Sequence, residues 1–190
     1  GFFRTMIFLP CTTSLVAYSI IFRSLFANDG LVNYVLVNLG ILDKPYNFLT
    51  QPFAAKMVIL LGLLWRWTGY NMVFFLSGLQ NIEYSVYEAA KIDGASAIQT
   101  FFKITVPLLK PTILLTAIMS TNGTLQLFDE SVNLTDGGPA NASISMSHYI
   151  YNLCFKYVPN FGYAAAMSFF ILLLVAVLAF IQMRVGDKRD

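Results

Sequence analysis

The amino-acid sequence predicts an all-α protein, a polytopic bundle of membrane helices, and three observations carry that prediction. The chain has 190 residues, of which 57% are hydrophobic. Only 12% are charged, about half the share found in an ordinary soluble domain. The hydrophobic residues come in long runs without the apolar and polar alternation of a membrane β-barrel. A helical membrane protein is therefore expected.

Two of the runs are long enough to cross a bilayer as helices. Residues 57–79 contain one charge, Arg66, and residues 163–183 contain none. A helix rises about 1.5 Å per residue, so about 20 residues span the roughly 30 Å of hydrocarbon. These runs predict membrane spans at about 55–80 and 162–184.

Two weaker runs predict a further pair of spans. Residues 5–22 and 111–128 also lack charges, although the second run is richer in hydroxyl and amide side chains. We expect spans at about 3–26 and 107–129. All four spans would then form a single transmembrane domain over residues 1–190.

The segments between the spans predict short helices and turns. A short amphipathic helix is expected at 31–39, after the first span. A long loop is expected at 130–160, where two consecutive glycines and a proline within 134–139 indicate a turn. The single histidine, His148, falls in this loop, and we interpret it as solvated because no carboxylate lies within ten residues of it.

Charge and cysteine content argue against several functions. The formal net charge is only +2, and no cluster of Lys and Arg interleaves with aromatic residues as nucleic-acid binding requires. Cys11 lies within a span and Cys154 within the loop. We interpret them as a small apolar filler and an unpaired loop thiol rather than as a disulfide or a metal site.

The basic residues predict how the chain is oriented in the membrane. Seven of them flank the spans on one side and four on the other, while Arg66 lies inside a span. The more positive side faces the cytoplasm, so we expect segment 81–106 and the C-terminal tail there. The seven are Arg4, Lys91, Lys103, Lys110, Arg184, Lys188 and Arg189, and the four are Arg23, Lys44, Lys56 and Lys156.

Segment 81–106 has the pattern of an amphipathic helix. Ser85 and Glu88 have the spacing of a capping box, which predicts that a helix begins there. Gly94 interrupts the pattern and predicts a bend or a close neighbour, and Pro107 predicts the turn back into the bilayer. Such a helix suits docking onto another protein or, equally well, lying in the lipid headgroups. The residues that recur at helical spacing are Tyr87, Ala90, Gly94, Ile98 and Phe101.

This segment resembles a known family. Its pattern is similar to E-A-A-x3-G-x9-I-x-L-P, the EAA loop of the permease subunits of bacterial ATP-driven importers. The matching residues are Glu88, Ala89, Ala90, Gly94, Ile104 and Pro107, and Val106 stands in place of the leucine. Other stretches are similar to the carbohydrate-importer permeases of the maltose and glycerol-phosphate type; they are 2–5, 8–10, 67–70, 79–80, 128–129, 134–139 and 161–166.

The resemblance implies an architecture and a set of partners. The family has six core membrane helices, so the chain is expected to represent the last four of them together with a cytoplasmic coupling helix. Its first residue is Gly rather than Met, and we expect that an N-terminal part is missing. The implied setting is the bacterial plasma (inner) membrane, with a second permease subunit, two ATP-binding subunits and an extracellular solute-binding protein. ATP-Mg is expected on partner subunits, since the chain has no phosphate-binding G-x-x-x-x-G-K-[ST] motif; the chain itself would bind no cofactor and catalyse no reaction.

Polar residues inside the spans predict a path for a hydrated solute. Arg66 lies ten residues beyond Lys56, about 15 Å along a helix, and a charge at that depth should face a bundle interior or a cavity. It is either functional or a structural cation paired with carbonyls or with a carboxylate on helices outside this chain. Trp67, Tyr70 and Asn71 share its depth and combine aromatic faces with hydrogen-bonding groups, as a sugar site requires.

The resemblance adds residues to this path. It places Tyr70, Ser120 and Thr124 at sugar-contacting positions of the maltose permease, while Leu127 replaces an amide there, so a different sugar is expected. Interhelical hydrogen bonding is an equally good interpretation of any one polar residue in the third span.

Three other functions were considered. An ion-coupled secondary transporter usually needs a buried carboxylate, whereas the clear spans contain none and Asp129 and Glu130 lie near an outside end. An intramembrane enzyme would need a constellation of acid, base or metal-binding residues that the spans do not offer. The sequence is also compatible with a purely structural membrane subunit.

Overall fold

The computed structural model describes residues 2–186, and every regular element in that range is helical. The prediction of an all-α bundle is therefore confirmed for these residues. In chain order the α-helices are α1 (Phe2–Thr12), α2 (Leu15–Leu25), α3 (Leu31–Asn38), α4 (Pro52–Gln80), α5 (Tyr84–Ile92), α6 (Ala97–Thr100), α7 (Val106–Leu108), α8 (Lys110–Leu125), α9 (Met146–Tyr151) and α10 (Phe161–Gly186). Short π-helical or 3₁₀ turns occupy Phe101–Thr105, Ser131–Thr135, Pro139–Asn141 and Asn152–Lys156.

The two strong runs form the two long helices. Both α4, with 29 residues, and α10, with 26, are long and apolar enough to cross a membrane. Two bent helix pairs could each serve as one further span, which gives up to four spans in the described range. The predicted orientation stays a prediction, and Lys188 and Arg189, on which it partly rests, lie outside the described residues.

The first predicted span is bent rather than straight. Helices α1 and α2 meet at 103° across residues 13–14, so the expectation of one helix over 3–26 is wrong in shape. Pro10 lacks a backbone N–H and crowds the preceding turn, which weakens a helix interior. The hydroxyls of Thr12 and Thr13 both donate to the Leu9 carbonyl, at 2.8 and 3.2 Å, and thereby satisfy an acceptor next to the break.

The chain bends by 65° between Ala97–Leu108 and α8, at the start of the third predicted span. The break at residue 109 lies two residues after Pro107, which confirms the turn predicted there. Helix α8 itself has 16 residues and ends at Leu125, four residues before the predicted end at 129. The chain beyond Leu125 folds back onto the bundle instead of continuing the helix.

The apolar core lies where α2, the first half of α4 and the turn Ser131–Thr135 meet. Its fully buried members include Tyr18, Val58 and Leu134. The Tyr18 ring stacks on Trp65 with centroids 6.2 Å apart. A segment predicted to be an outside loop thus contributes to the centre of the core.

Helices α1 and α4 approach closely at Gly69. A β-carbon at this position would collide with the Ile7 carbonyl, so only glycine permits the observed spacing. The free thiol of Cys11 donates to the Arg66 carbonyl at 3.1 Å in the same contact. Small residues that allow close backbone approach are typical of helix contacts in membranes.

Residues 126–160, here called the His148 segment, fold into short helical turns. The predicted turn at the consecutive glycines is confirmed, because Gly137 and Gly138 have φ of +85° and +66°, a region that glycine tolerates without strain. The short helix expected at 31–39 is also confirmed as α3. The expectation of an open loop over 130–160, however, is wrong.

His148 is buried, contrary to the prediction of a solvated residue. It is only 1% exposed, and its Nδ1 lies 2.9 Å from the Ser131 hydroxyl, which donates to the Ser143 carbonyl. Its Nε2 lies 3.9 Å from a carboxylate oxygen of Asp136. The tight turn at 137–138 brings Asp136 back toward the histidine, and spacing along the chain could not show this.

Residues 81–109, here called the Glu88 segment, differ from the prediction in how the helix begins. Helix α5 begins at Tyr84, and the Ser85 hydroxyl donates to the Glu83 carboxylate rather than capping the helix. The capping box occurs further on, where Ser96 and Gln99 exchange hydrogen bonds of 3.3 and 2.8 Å. The predicted box at Ser85 is therefore wrong.

The Glu88 segment also does not form one helix to Phe101. Helix α5 ends at Ile92, and Gly94 has φ of +73° with open space around its α-carbon. A residue in this left-handed conformation ends an α-helix, which is why glycine is common at such positions. The residues from Tyr87 to Phe101 therefore do not share one helical face, because the chain forms two short helices, α5 and α6, on either side of Gly94.

Candidate functional site

A cavity of about 380 Å³ opens in the middle of the helical bundle. It lies between the junction of α1 and α2, the central part of α4, and residues 123–130 at the end of α8 and beyond. Three of the predicted path residues line it, namely Arg66, Trp67 and Tyr70. These three residues occupy positions i, i+1 and i+4 of α4, and helical periodicity places such positions toward the same side of a helix.

Aromatic side chains form one wall of the cavity. The rings of Trp67 and Tyr70 meet edge to face at 5.5 Å, and Tyr70 meets Phe74 at 5.1 Å. Tyr70 is 37% exposed, and its hydroxyl donates to the Met119 sulfur at 3.9 Å. A wall of this kind can pack against apolar ligand faces and still offer a hydrogen bond.

Gly123 of α8 holds the Trp67 ring in place. A β-carbon at Gly123 would lie 2.5 Å from that ring, closer than real β-carbons approach other atoms. The indole therefore packs directly on the α8 backbone. Sequence reasoning missed Gly123, because a glycine within an apolar run gives no sign of which ring lies over it.

Arg66 forms an ion pair with Glu130 across the cavity. The distance between Arg66 Nη1 and Glu130 Oε1 is 3.5 Å, and the side chains are 26% and 7% exposed. The expectation that Glu130 lies near an outside end, away from the interior, is wrong, because the chain folds inward after Leu125. The carboxylate that satisfies Arg66 belongs to this chain and not to other helices.

The remaining predicted path residues lie beside the cavity and do not line it. Asn71 donates to the Ser120 hydroxyl at 3.3 Å and so connects α4 with α8. Thr124 donates to the Ser120 carbonyl of its own helix at 2.8 Å. The first bond is interhelical and the second lies within α8, and any contact of these residues with a ligand stays a prediction.

The predicted coupling residues divide into two groups. Glu88, Ala89 and Gly94 are exposed on α5 and the turn after it, whereas Ala90 is buried against the rest of the chain. Ile104 and Pro107 lie apart from them, in the π turn and in α7. A hydrogen bond of 3.3 Å between the Tyr87 and Thr105 hydroxyls joins the two groups.

Comparison with known proteins gives one family over almost the whole chain. Residues 1–189 match the model for the binding-protein-dependent transport system inner membrane component. The chain is 56% identical over 191 residues to the lactose transport system permease protein LacF of Rhizobium radiobacter, covering 100% of this chain and 64% of that protein. It is 33% identical to the arabinooligosaccharides transport system permease protein AraP of Bacillus subtilis strain 168, covering 98% of this chain and 59% of that protein.

A solved structure has the same fold. The crystal structure of a bacterial ABC transporter involved in the import of the acidic polysaccharide alginate superimposes with a TM-score of 0.85 at 23% identity, over 97% of this chain and 64% of that chain. This chain thus spans about three fifths of the length of the relatives it matches. On the extent of the family match, the chain belongs to the inner membrane components of binding-protein-dependent transport systems.

Proposed function

We propose that this chain is part of a permease subunit of an ATP-driven importer and forms half of the translocation path for a sugar or a related polar solute. The observation that carries the proposal is the central cavity, where Trp67 and Tyr70 stand beside the Arg66–Glu130 ion pair. Its volume of about 380 Å³ falls in the range of roughly 300–1,000 Å³ found for small-molecule sites.

The lining of the cavity matches the surface of a sugar. A pyranose has C–H faces that pack on aromatic rings, which Trp67 and Tyr70 supply, and a rim of hydroxyls that need donors and acceptors. Arg66 offers donors, and the carboxylates of Asp129 and Glu130 offer acceptors. The named relatives support this class, since LacF is a lactose permease and AraP an arabinooligosaccharide permease.

The Arg66–Glu130 ion pair argues against the alternative function of an ion-coupled transporter. A buried carboxylate is present at Glu130, which is 5% exposed, so the sequence argument that no such group exists does not apply. Arg66 nevertheless supplies its counter-charge at 3.5 Å. A carboxylate that already has a partner is a poor site for a coupling proton or sodium ion, which favours the ATP-driven mechanism.

We further infer that the Glu88 segment is the docking element for an ATP-binding subunit. Helix α5 exposes Glu88 and Ala89, and the small side chain of Ala89 allows a partner to approach closely. The Tyr87–Thr105 hydrogen bond connects α5 to the turn that leads into α8. A displacement of α5 by a partner would therefore be transmitted to one wall of the cavity.

The complete importer would contain this permease, a second permease subunit, two ATP-binding subunits and an extracellular solute-binding protein. ATP-Mg would bind to the ATP-binding subunits, and this chain would carry out no chemical step. Closure of the ATP-binding subunits would move α5, tilt α4 and α8, and switch the cavity from one side of the membrane to the other.

The test uses two substitutions in the full-length permease, expressed with its partner subunits. Tyr70→Ala should reduce ATP-dependent uptake of radiolabelled lactose at least about tenfold, which corresponds to a loss of roughly 1.4 kcal/mol of binding free energy. The ATP-binding subunit should still co-purify with this variant. Glu88→Lys should abolish both co-purification and uptake. Membrane insertion of each variant is checked by its abundance in the membrane fraction.

Two results would contradict the proposal. Normal uptake by Tyr70→Ala would remove the cavity from the translocation path, and normal co-purification by Glu88→Lys would remove α5 from the ATPase contact. Lys91→Glu is a matched control for the second variant, because it changes an exposed charge on the same helix outside the EAA pattern. We expect it to retain co-purification.

A further inference from the structure

We propose that Glu130, by neutralising Arg66 beside a second carboxylate at Asp129, makes the cavity accept neutral sugars and exclude anionic ones. The inference rests on the proposed function and concerns which class of sugar that site takes. It starts from the position of the pair, which lies in the cavity wall next to Trp67 and Tyr70.

The geometry leaves the guanidinium accessible but not free. The Arg66 side chain is 26% exposed, whereas that of Glu130 is 7% exposed. A guanidinium has five N–H donors, the contact with Glu130 at 3.5 Å engages one of its nitrogens, and Arg66 lines the cavity. A sugar hydroxyl can accept from those donors without disturbing the pair.

The formal charges of the lining disfavour an anion. Among residues 2–186, Arg66 is the one basic residue that lines the cavity, whereas Asp129 and Glu130 both carry carboxylates. A carboxylate on the solute would have to displace Glu130 from Arg66 while close to Asp129. Like charges in a partly desolvated site repel strongly, so the neutral solute is favoured.

Removal of Glu130 should reverse this preference. In Glu130→Gln the guanidinium keeps its charge and loses its counter-ion, and an unpaired Arg is a strong ligand for a carboxylate. The double variant Arg66→Gln/Glu130→Gln removes both charges, so it should discriminate as the wild type does. A merely structural role for the ion pair would leave the preference unchanged in both variants.

The experiment compares lactose with lactobionate, which keeps the galactosyl unit and adds one carboxylate. Binding of radiolabelled lactose to the purified complex of full-length permease and ATP-binding subunits is measured without solute-binding protein, in competition with either compound. Wild type should bind lactose at least about tenfold more tightly than lactobionate. Glu130→Gln should shift the ratio toward lactobionate by about tenfold or more, the size of one charge-assisted hydrogen bond.

The double variant should return the ratio to within about threefold of the wild type. If Glu130→Gln fails to assemble, Asp129→Asn provides the test, because it leaves the ion pair intact and should shift the ratio about threefold in the same direction. An unchanged ratio in Glu130→Gln or, where that variant does not assemble, in Asp129→Asn would overturn the inference alone. A wild-type complex that binds neither compound would overturn the proposed function and this inference with it.

Discussion

The His148 segment and the Glu88 segment both lie between spans, yet they differ in how far their side chains are buried. In the His148 segment, Ser131 and Leu134 are 0% and 1% exposed. In the Glu88 segment, Ile92 and Ile98 are 86% and 72% exposed. From Glu130 to Leu153 the first segment packs mainly into its own chain, although Phe155 and Val158 beyond it are 71% and 89% exposed. The second segment presents apolar side chains that nothing in the described chain covers.

This difference separates a structural element from the segment that we propose for docking. In the His148 segment the buried Ser131 hydroxyl donates to the Ser143 carbonyl, and Leu134 completes the core around Tyr18. The Glu88 segment has one tertiary side-chain hydrogen bond, between Tyr87 and Thr105, among those that the structure describes. Substitutions in the first should therefore lower stability, and substitutions in the second should affect assembly with a partner.

The largest expected effect on stability is that of Leu134→Ala. A fully buried leucine replaced by alanine loses about 2–5 kcal/mol, since the packing atoms are removed and a cavity remains. The matched change Ile92→Ala removes an exposed side chain and should alter stability by no more than about 0.5 kcal/mol. Thermal unfolding of the purified full-length permease measures both.

Assembly should show the opposite order for the same two variants. Ile92→Ala should weaken co-purification of the ATP-binding subunit, because its side chain would lie in the contact. Leu134→Ala should retain co-purification at temperatures where the protein is still folded. Equal losses of stability in both variants would remove the distinction between the two segments.

A smaller effect is expected for Ser131→Ala compared with Ser85→Ala. The Ser131 hydroxyl donates to the Ser143 carbonyl, accepts from the Ser145 amide and contacts His148. Its removal leaves buried partners unsatisfied, which costs about 1–3 kcal/mol. Ser85 bonds only an exposed carboxylate in the structure, and its removal should cost no more than about 0.5 kcal/mol. Thermal unfolding at fixed pH compares the two, and a Ser131→Ala variant as stable as wild type would contradict the buried network.

The smallest effect is a pH dependence of the His148 segment. Burial, followed by the nearby positive charge of Lys156, lowers the pKa of His148 below its ordinary value of 6.5, and Asp136 opposes the shift. Below pH 6.5 the unfolded chain therefore binds more protons than the folded one, so stability is lost as the pH falls. The loss should not exceed about 1.4 kcal/mol per pH unit.

The pH effect is measured as the melting temperature of the permease between about pH 7.5 and 5.5, compared with that of His148→Gln. The wild type should lose more stability toward acid than the variant, whose side chain does not titrate. A melting temperature with the same pH dependence in both proteins would contradict a buried, neutral His148.

Sequence alone predicted the two long helices α4 and α10 because long apolar runs have few alternative structures in a membrane, whereas the two weaker runs belong to bent helix pairs. It predicted the short segments poorly, because their structure depends on tertiary contacts. Ser85 and Ser96 are each followed three residues later by Glu or Gln, and in the structure only Ser96 forms a capping box. His148 was assigned to solvent because its nearest carboxylate along the chain, Asp136, returns to it only through a tight turn.

The candidate site shows the same limit. Arg66, Trp67 and Tyr70 could be grouped from sequence because they share one helix, and helical geometry fixes their relative positions. Glu130 and Gly123 complete the cavity from another part of the chain, and no local pattern links them to Arg66. The resemblance to a family supplied candidate positions in α8 but could not show which of them reach the cavity.

The most direct test of the account is the accessibility of position 89 in the Glu88 segment. Ala89→Cys is introduced into a full-length permease in which Cys11 and Cys154 are replaced by Ser, and a membrane-impermeant maleimide is applied to right-side-out and inside-out vesicles. The account predicts labelling only from the cytoplasmic face, and at least about tenfold slower labelling when the ATP-binding subunit is bound. Labelling from the outer face, or equal rates with and without that subunit, would contradict it.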